Sequence, residues 1–226
     1  MHPIARKCQT IFIISMARYL AAIFSLVAAQ NTPEQVWVSF GSTPLTSLIV
    51  SFASPSQCLT PSLKAGTSNT TLISYPVAPD APFYFNNAGG VAFYYRSTLT
   101  GLTPGTKYFY TVSACGAWSS IFSVSTLPET QELTVLLTGD MGRDDGEQIL
   151  PMLVQEAEKA AGGSSSAANM FVIGGDFAYD MHDKEGARGA AYMGRLSTVS
   201  SYIPTVMTIG VSVRPFPPPM SRTAPP

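Results

Sequence analysis

Residues 33 to about 126 form short runs in which apolar and polar residues alternate, and this pattern predicts β-strands. The alternation is clearest at 48–52 and 108–112, where every second side chain can face a core and its neighbours can face water. Turn residues, mainly Pro and Gly, separate the runs, which is typical of an antiparallel β-sandwich. The predicted strands are 35–40, 47–53, 70–75, 91–98, 107–114 and 121–126.

A short polar linker at 128–131 separates the β-rich region from a region with a different pattern. There, the apolar run 133–137 lacks alternation, as expected for a strand that is covered on both faces of an α/β sheet, and a second buried strand and a third strand follow it. Two segments with apolar residues at helical spacing lie between them. The strands are predicted at 133–137, 170–173 and 205–209, and the helices at 146–161 and 189–200. The fold class is therefore an all-β sandwich followed by a β-α-β-α-β unit.

The first 29 residues predict a signal peptide. Basic residues precede an apolar stretch, and Val27 and Ala29 are the small residues that a signal peptidase needs. A membrane anchor is the alternative, but Arg18 divides the stretch, so neither part reaches the roughly 20 apolar residues of a membrane span. We therefore expect secretion, with no stable membrane span after cleavage. Asn69, in the sequon Asn69-Thr70-Thr71, would then be a glycosylation site.

Composition and cysteine usage narrow the functional class. The 13 Lys and Arg against 14 Asp and Glu leave a formal charge of −1, so the chain has no basic excess for a nucleic-acid backbone. Cys8 lies in the predicted signal peptide, which leaves Cys58 and Cys115 in the mature chain. A disulfide between these two and a pair of separate buried thiols are both compatible with the sequence.

Two acidic motifs directly follow the first two strands of the α/β region. They read Gly139-Asp140-Met141-Gly142 and Gly175-Asp176-Phe177-Ala178-Tyr179. Because open α/β sheets place ligands at the carboxyl ends of their strands, both carboxylates are expected to point into one crevice. Hard cations prefer carboxylate ligands, so the pair predicts a metal site. The simpler alternative is that each Gly-Asp is only a turn after a strand.

With Tyr179 three residues past Asp176, these motifs resemble those of the purple acid phosphatases within the metallophosphoesterase superfamily. The segment 33–36 looks like the opening of that family's N-terminal domain, and 118–123 looks like the last strand of this domain. The turn at 102–106 resembles a corner of a fibronectin type III module. The resemblance implies four parts: a signal peptide at 1–29, a fibronectin type III-like domain at 30–128, a partial calcineurin-like metallophosphoesterase domain at 129–210 and a Pro-rich non-family tail at 211–226.

The resemblance also implies the chemistry of the site. In the family the first aspartate binds Fe³⁺, the second bridges two metals, and the tyrosine is a ferric ligand whose charge transfer gives the purple colour. These roles fall on Asp140, Asp176 and Tyr179. The implied cofactors are Fe³⁺ and a divalent Zn, Mn or Fe. The implied reaction is hydrolysis of a phosphate monoester by a metal-bound hydroxide, and a homodimer is compatible with the resemblance.

The chain departs from the family pattern after its third α/β strand. The family carries Gly-Asn-His there, whereas Gly210 is followed by Val211. His182 is expected to be a solvated loop residue, and Trp37 and Trp118 are expected in the sandwich core.

Three functions stay open on the sequence. The first is a secreted acid phosphatase of which this chain carries the first two metal motifs, with activity of the chain alone left open. The second is a catalytically dead secreted β-sandwich binding module with half a phosphatase domain. The third is another secreted metallophosphoesterase, a nucleotidase or phosphodiesterase, and Tyr179 argues against it.

Overall fold

The computed structural model describes residues 32–79, 83–84, 91–130, 132–141, 148–176, 179, 181, 183–184 and 186–208. The predicted signal peptide and the predicted tail lie outside the described residues. The same is true of Cys8, Gly142, Phe177, Ala178, His182 and Gly210.

Ten strands among the described residues form the β-rich region. They are β1 (Glu34–Phe40), β2 (Leu48–Ser54), β3 (Ser62–Ser68), β4 (Thr71–Tyr75), β5 (Ala78–Pro79), β6 (Phe83–Tyr84), β7 (Val91–Leu99), β8 (Lys107–Ala114), β9 (Ala117–Trp118) and β10 (Phe122–Ser125). One sheet has the order β1-β2-β7-β5, with β6 paired to β7. The other has the order β10-β8-β3-β4, with β9 paired to β8. Every pairing in the two sheets is antiparallel.

The core of this sandwich comes from alternate side chains of both sheets. Val50 and Phe52 on β2 and Tyr110 and Val112 on β8 are all fully buried in one cluster. The ring of Phe52 stacks on Tyr95 with centroids 5.3 Å apart. The period-two patterns at 48–52 and 108–112 therefore point the expected side chains inward, and the predicted β-rich architecture is present.

Strand β3 is the one long strand that the sequence pattern did not predict. It offers only Leu63 and Ala65 to the core, and the rest of it is polar or glycine. Its position follows from pairing with β8 on one side and β4 on the other. Gly66 lies so close to β4 that an added Cβ would be 2.4 Å from the carbonyl O of Thr71. Tertiary pairing, not local pattern, makes this segment a strand.

The region after the linker has the predicted β-α-β-α-β order. Its elements are β11 (Val135–Thr138), α1 (Leu150–Gly162), β12 (Met170–Gly174), α2 (Ala187–Ser200) and β13 (Thr205–Thr208). The three strands are parallel, in the order β11-β12-β13. Helix α1 has a proline in its first turn, where the missing N–H lacks an intrahelical acceptor anyway, and ends at Gly163 in the left-handed conformation.

Both helices pack on one face of this parallel sheet. Residues of α1 and α2 share a core cluster with Phe171 and Ile173 of β12. The opposite face is apolar but open: Leu137 is 75% exposed, and Val135 and Val206 are also exposed. The expectation of strands covered on both faces is therefore wrong for the described residues. The physical reason is that successive right-handed crossovers between neighbouring strands place their helices on the same side.

Strand β1 contributes to both cores of the molecule. Val36 and Val38 face the sandwich core, whereas Trp37 points the other way and packs in the cluster of the α/β region. The Trp37 Nε1–H donates to the carbonyl O of Thr205 at 3.3 Å. The expectation of Trp37 in the sandwich core is therefore wrong, because alternation on β1 directs it to the other region.

The second tryptophan is also not a core residue. Trp118 is 42% exposed, and the Nζ of Lys64 lies 4.8 Å from its ring centroid. It belongs to the short strand β9, so its side chain lies on the outside of the sandwich.

Buried polar contacts join the sandwich to the α/β region. The Tyr110 hydroxyl donates to the carbonyl O of Ser201 at 2.6 Å, and the Ser200 hydroxyl donates to the carbonyl O of Val36 at 3.2 Å. Complete burial raises the pKa of Tyr110 well above its ordinary value, so its hydroxyl stays a donor. Lys107 Nζ donates to the carbonyl O of Ala161 near the end of α1. These bonds fix how the two regions sit on each other.

Candidate metal centre

The two Gly-Asp pairs lie side by side at the carboxyl edge of the parallel sheet. Thr138 of β11 is in register with Ile173 of β12, so the residues that follow each strand are neighbours. The backbone N–H of Asp140 donates to the carbonyl O of Gly175 at 3.2 Å. This bond ties the first motif to the second.

The glycine of each motif has its own structural reason. An added Cβ at Gly139 would lie 2.8 Å from the carbonyl O of Gly174, which is too close for any side chain. Gly175 adopts φ +82°, a conformation that glycine alone takes up readily. The repeated glycine therefore serves a close approach of two strand ends in one motif and a left-handed turn in the other.

Both aspartates are themselves in the left-handed region, with φ 58° for Asp140 and φ 38° for Asp176. Non-glycine residues are uncommon there, although Asp tolerates the region better than most. Such conformations persist only where the surrounding structure imposes them, and they concentrate at functional sites. Each Gly-Asp therefore does form a turn after its strand, but the aspartate in that turn has a strained backbone conformation.

Tyr179 completes the group from the segment between β12 and α2. Its hydroxyl donates to Oδ1 of Asp140. That hydrogen bond holds the pKa of the Tyr179 phenol far above its ordinary value, with desolvation and the nearby Asp176 carboxylate adding to the effect. In this state the phenol keeps its proton and bridges toward both carboxylates.

Two methionines, one buried and one half-buried, connect the loops that carry these side chains to the rest of the α/β region. Met141, next to Asp140, is buried in the core of the α/β region. Met181, two residues after Tyr179, accepts a hydrogen bond at its carbonyl O from the N–H of Gly189 on α2 at 3.2 Å. An added Cβ at Gly189 would lie 2.8 Å from that oxygen. The site is therefore attached to the helix layer through backbone contacts that leave no room for a side chain.

The three grouped side chains offer oxygen donors only. Asp140 is exposed, and Asp176 and Tyr179 are half-buried, so a solute can reach them. Two carboxylates and a phenol offer hard oxygen donors, which suit a hard cation. Among the described residues, no three or more His, Cys, Asp or Glu side chains lie together so that they could hold a metal ion. The third donor of this site is a tyrosine.

The remaining sequence-predicted sites lie in the sandwich. Asn69 is exposed in the turn between β3 and β4. Cys58 is buried and Cys115 is exposed, and both are free thiols. The N–H of Cys115 nevertheless donates to Sγ of Cys58 at 2.5 Å, so the two residues are neighbours.

Sequence reasoning pointed to the three oxygen donors but missed the features that hold them. The repeated Gly-Asp pair was a visible signal for Gly139, but no pattern indicated that Gly189 also faces a backbone oxygen. In the described part of the chain, no helix is long and apolar enough to cross a bilayer.

Comparison with known proteins finds acid phosphatases similar to this chain. Over 190 residues the chain is 26% identical to acid phosphatase type 7 of Danio rerio. The aligned part is 82% of this chain and 41% of that relative. The chain thus spans about two fifths of the length of this curated relative. The chain is therefore related to the acid phosphatases.

Within that class, the matches point to similarity with the purple acid phosphatases. Residues 33–126 match the family described as "Purple acid Phosphatase, N-terminal domain". The purple acid phosphatase PPD1 from yellow lupin (Lupinus luteus) seeds aligns in structure with a TM-score of 0.65 and 17% identity, over 80% of this chain and 35% of that one. The resemblance seen in the sequence is therefore confirmed.

A second solved structure shares the fold. PhoD aligns with a TM-score of 0.53 and 13% identity, over 78% of this chain and 38% of that one. At such identities, likeness to either solved structure shows a common fold alone. The fold of this chain thus recurs in more than one protein of low sequence identity.

Proposed function

We propose that this chain carries part of the active site of a secreted acid phosphatase that hydrolyses phosphate monoesters at a centre of Fe³⁺ and a divalent Zn, Mn or Fe. The observation that carries the proposal is the convergence of Asp140, Asp176 and Tyr179 at the ends of two adjacent parallel strands. The relationship to acid phosphatases supports it. In this proposal residues 129–210 belong to a metallophosphoesterase domain.

The roles of the three side chains follow from their donor atoms. Asp140 and Tyr179 would hold the ferric ion, and Asp176, with two carboxylate oxygens, would bridge to the divalent ion. The phenol of Tyr179 would have to lose its proton, since a metal takes the deprotonated ligand. When bound, the metal pair would activate water and offset the negative charge of the ester. The protein's own contribution is rigidity, because both aspartates have left-handed backbone conformations and the Asp140 N–H is bonded to the carbonyl O of Gly175.

The accompanying proposals concern the route of the protein. Cleavage of residues 1–29 would deliver the chain to the outside of the cell, and Asn69 would carry a glycan there. Exposure of Asn69, Thr70 and Thr71 on a hairpin turn supports that modification, because the sequon is open to a transferase. The partner is a phosphate monoester and not a nucleic acid, and homodimerisation belongs to the same proposal.

The test is reconstitution of the full chain with Fe³⁺ and Zn²⁺, followed by visible absorbance and hydrolysis of p-nitrophenyl phosphate at acid pH. The expected result is a visible charge-transfer band that Tyr179→Phe abolishes. Tyr94→Phe is the matched control: it removes a hydroxyl in the sandwich, where the bond to Gln35 is long at 3.4 Å, and should leave the band unchanged.

Two outcomes would count against the proposal. Failure of the wild-type chain to develop a band that depends on Tyr179 would contradict the ferric site. A band without hydrolysis would keep the site and contradict phosphatase activity of this chain by itself.

A further inference from the structure

The two cysteines of the sandwich approach each other from separate loops. Cys58 lies between β2 and β3, and Cys115 lies in the turn between β8 and β9. Besides the bond from the Cys115 N–H to Sγ of Cys58, Sγ of Cys115 lies 3.5 Å from the carbonyl O of Gln57. Each sulfur thus lies against the backbone of the other loop.

The turn that carries Cys115 is unusual for this residue. Ala114 and Ala117 are paired across it, and Cys115 and Gly116 have φ 49° and φ 86°. Two consecutive positive φ angles are those of a type I′ hairpin turn, whose first position favours Asn, Asp or Gly. Cysteine is not favoured in this backbone conformation. The chemistry of its side chain therefore explains a cysteine at this position better than the turn does.

The partner sulfur is held in place. Cys58 is 5% exposed and packs in the sandwich core. Its N–H donates to the hydroxyl of Tyr95 at 2.6 Å, and Tyr95 is itself buried. A fixed buried thiol beside an exposed thiol is an asymmetric pair, in which only Cys115 is open to a dissolved reagent.

We propose that Cys58 and Cys115 form a disulfide that links the β2–β3 loop to the β8–β9 turn, with a small-molecule disulfide such as oxidised glutathione as the oxidant. The link would span 57 positions of sequence and would join the loop that connects the two sheets to a hairpin turn of the second sheet. This role is independent of the proposed phosphatase function, because neither loop belongs to the α/β region.

The reaction is two thiol–disulfide exchanges. The Cys115 thiolate attacks one sulfur of oxidised glutathione, the glutathione S–S bond breaks, and one glutathione thiolate leaves. The Cys58 thiolate then attacks Sγ of Cys115 and displaces the second glutathione thiolate. The two protein thiols lose two electrons and two protons, and these reduce one glutathione disulfide to two glutathione thiols.

The environment of Cys115 makes the first exchange slow at neutral pH. Cys115 is exposed, but its pKa is raised to about 11. Partial desolvation of the thiol is the larger cause, and the contact with Cys58 is the smaller one. The thiolate is the attacking species, so little of it is present at pH 7.

The test uses the full chain with Cys8→Ser, which removes the third cysteine. The reduced protein is incubated with oxidised and reduced glutathione, and its thiols, intact mass and linked peptides are measured. We expect loss of two thiols and two hydrogen masses, and a peptide pair joined through Cys58 and Cys115. Reduction of the linked protein should lower its Tm by about 10 °C.

Cys115→Asn separates the cross-link from the turn. Asn suits the left-handed position, so in reductant this variant should be at least as stable as the parent. In oxidant it should melt about 10 °C below the parent, so that the order of the two proteins reverses. Cys58→Ser tests the same loss from the buried side.

Three results would overturn the proposal. They are two titratable thiols after incubation in oxidant, glutathione retained on Cys115 without transfer to Cys58, and a linked parent whose Tm does not respond to reduction.

Discussion

Replacement of Gly139 by Ala tests whether the close approach of β11 and β12 holds the candidate metal centre together. The new methyl carbon would lie 2.8 Å from the carbonyl O of Gly174, and the next atoms of that backbone are 3.6 Å and 3.8 Å away. Because the obstacle is backbone, no side-chain rotation relieves it. Separation of the strand ends would also lengthen the 3.2 Å bond from the Asp140 N–H to Gly175.

Two effects set the size of the loss. Overpacking in a close-packed site destabilises by about 1 to 3 kcal/mol, and loss of one hydrogen bond adds about 1 kcal/mol. We therefore expect Gly139→Ala to lower the free energy of unfolding by about 2 to 4 kcal/mol. Urea unfolding followed by far-UV circular dichroism measures this difference.

Gly194→Ala is the matched control for this experiment. Gly194 lies inside α2, and an added Cβ there would meet no atom within 4 Å. The same substitution should therefore stabilise the protein by about 0.5 to 1 kcal/mol, because Ala has the higher helix propensity. A Gly139→Ala protein within about 0.5 kcal/mol of wild type would refute the argument that the glycine is required by the close approach.

The remaining predictions concern the interface, the exposed face and the thiols. Tyr110→Phe should lower the free energy of unfolding by about 1 to 3 kcal/mol, since Ser201 would lose a buried donor; in urea titrations, an unchanged midpoint would contradict this. Leu137→Asn should change stability by less than about 0.5 kcal/mol while reducing binding of a hydrophobic dye, because the side chain is 75% exposed; a large loss of stability would show that this face is covered. The exchange of Cys115 with oxidised glutathione should speed up about tenfold per pH unit from pH 7 to 10, since the raised pKa of about 11 keeps the thiol protonated over that range; stopped samples analysed by mass would show a plateau near pH 8.5 if the thiol were ordinary.

The fold could be predicted from the sequence wherever one local pattern decides one element. Phe52 and Tyr110 lie on strands whose alternation is regular, and Leu153 and Ala157 lie on a helix with a regular apolar stripe. Strand β3 was not predictable, because its polar residues and Gly66 become a strand only through pairing with neighbours on both sides. The exposed face of the parallel sheet escaped prediction for a related reason: an apolar run indicates a strand but not what packs on it.

The candidate metal centre divides in the same way. Carboxylates at the ends of two α/β strands are visible in the sequence, and so is the tyrosine at a fixed distance from the second. The left-handed conformations of Asp140 and Asp176 and the contact between Met181 and Gly189 are properties of the assembled backbone. The local sequence pattern predicted the donor residues. The backbone contacts that hold them in place depend on segments that are far apart in sequence.

The position of Trp37 bears on where this protein can be divided. The matched family segment ends at residue 126, yet Trp37 fills a core whose other members come from beyond that residue. A fragment cut at 126 would display an indole on its surface, and the complementary fragment would contain a hole of the same shape. Chimeras that exchange the sandwich between relatives should therefore fold well only when the residue at position 37 is exchanged together with the residues of the core cluster in which it packs.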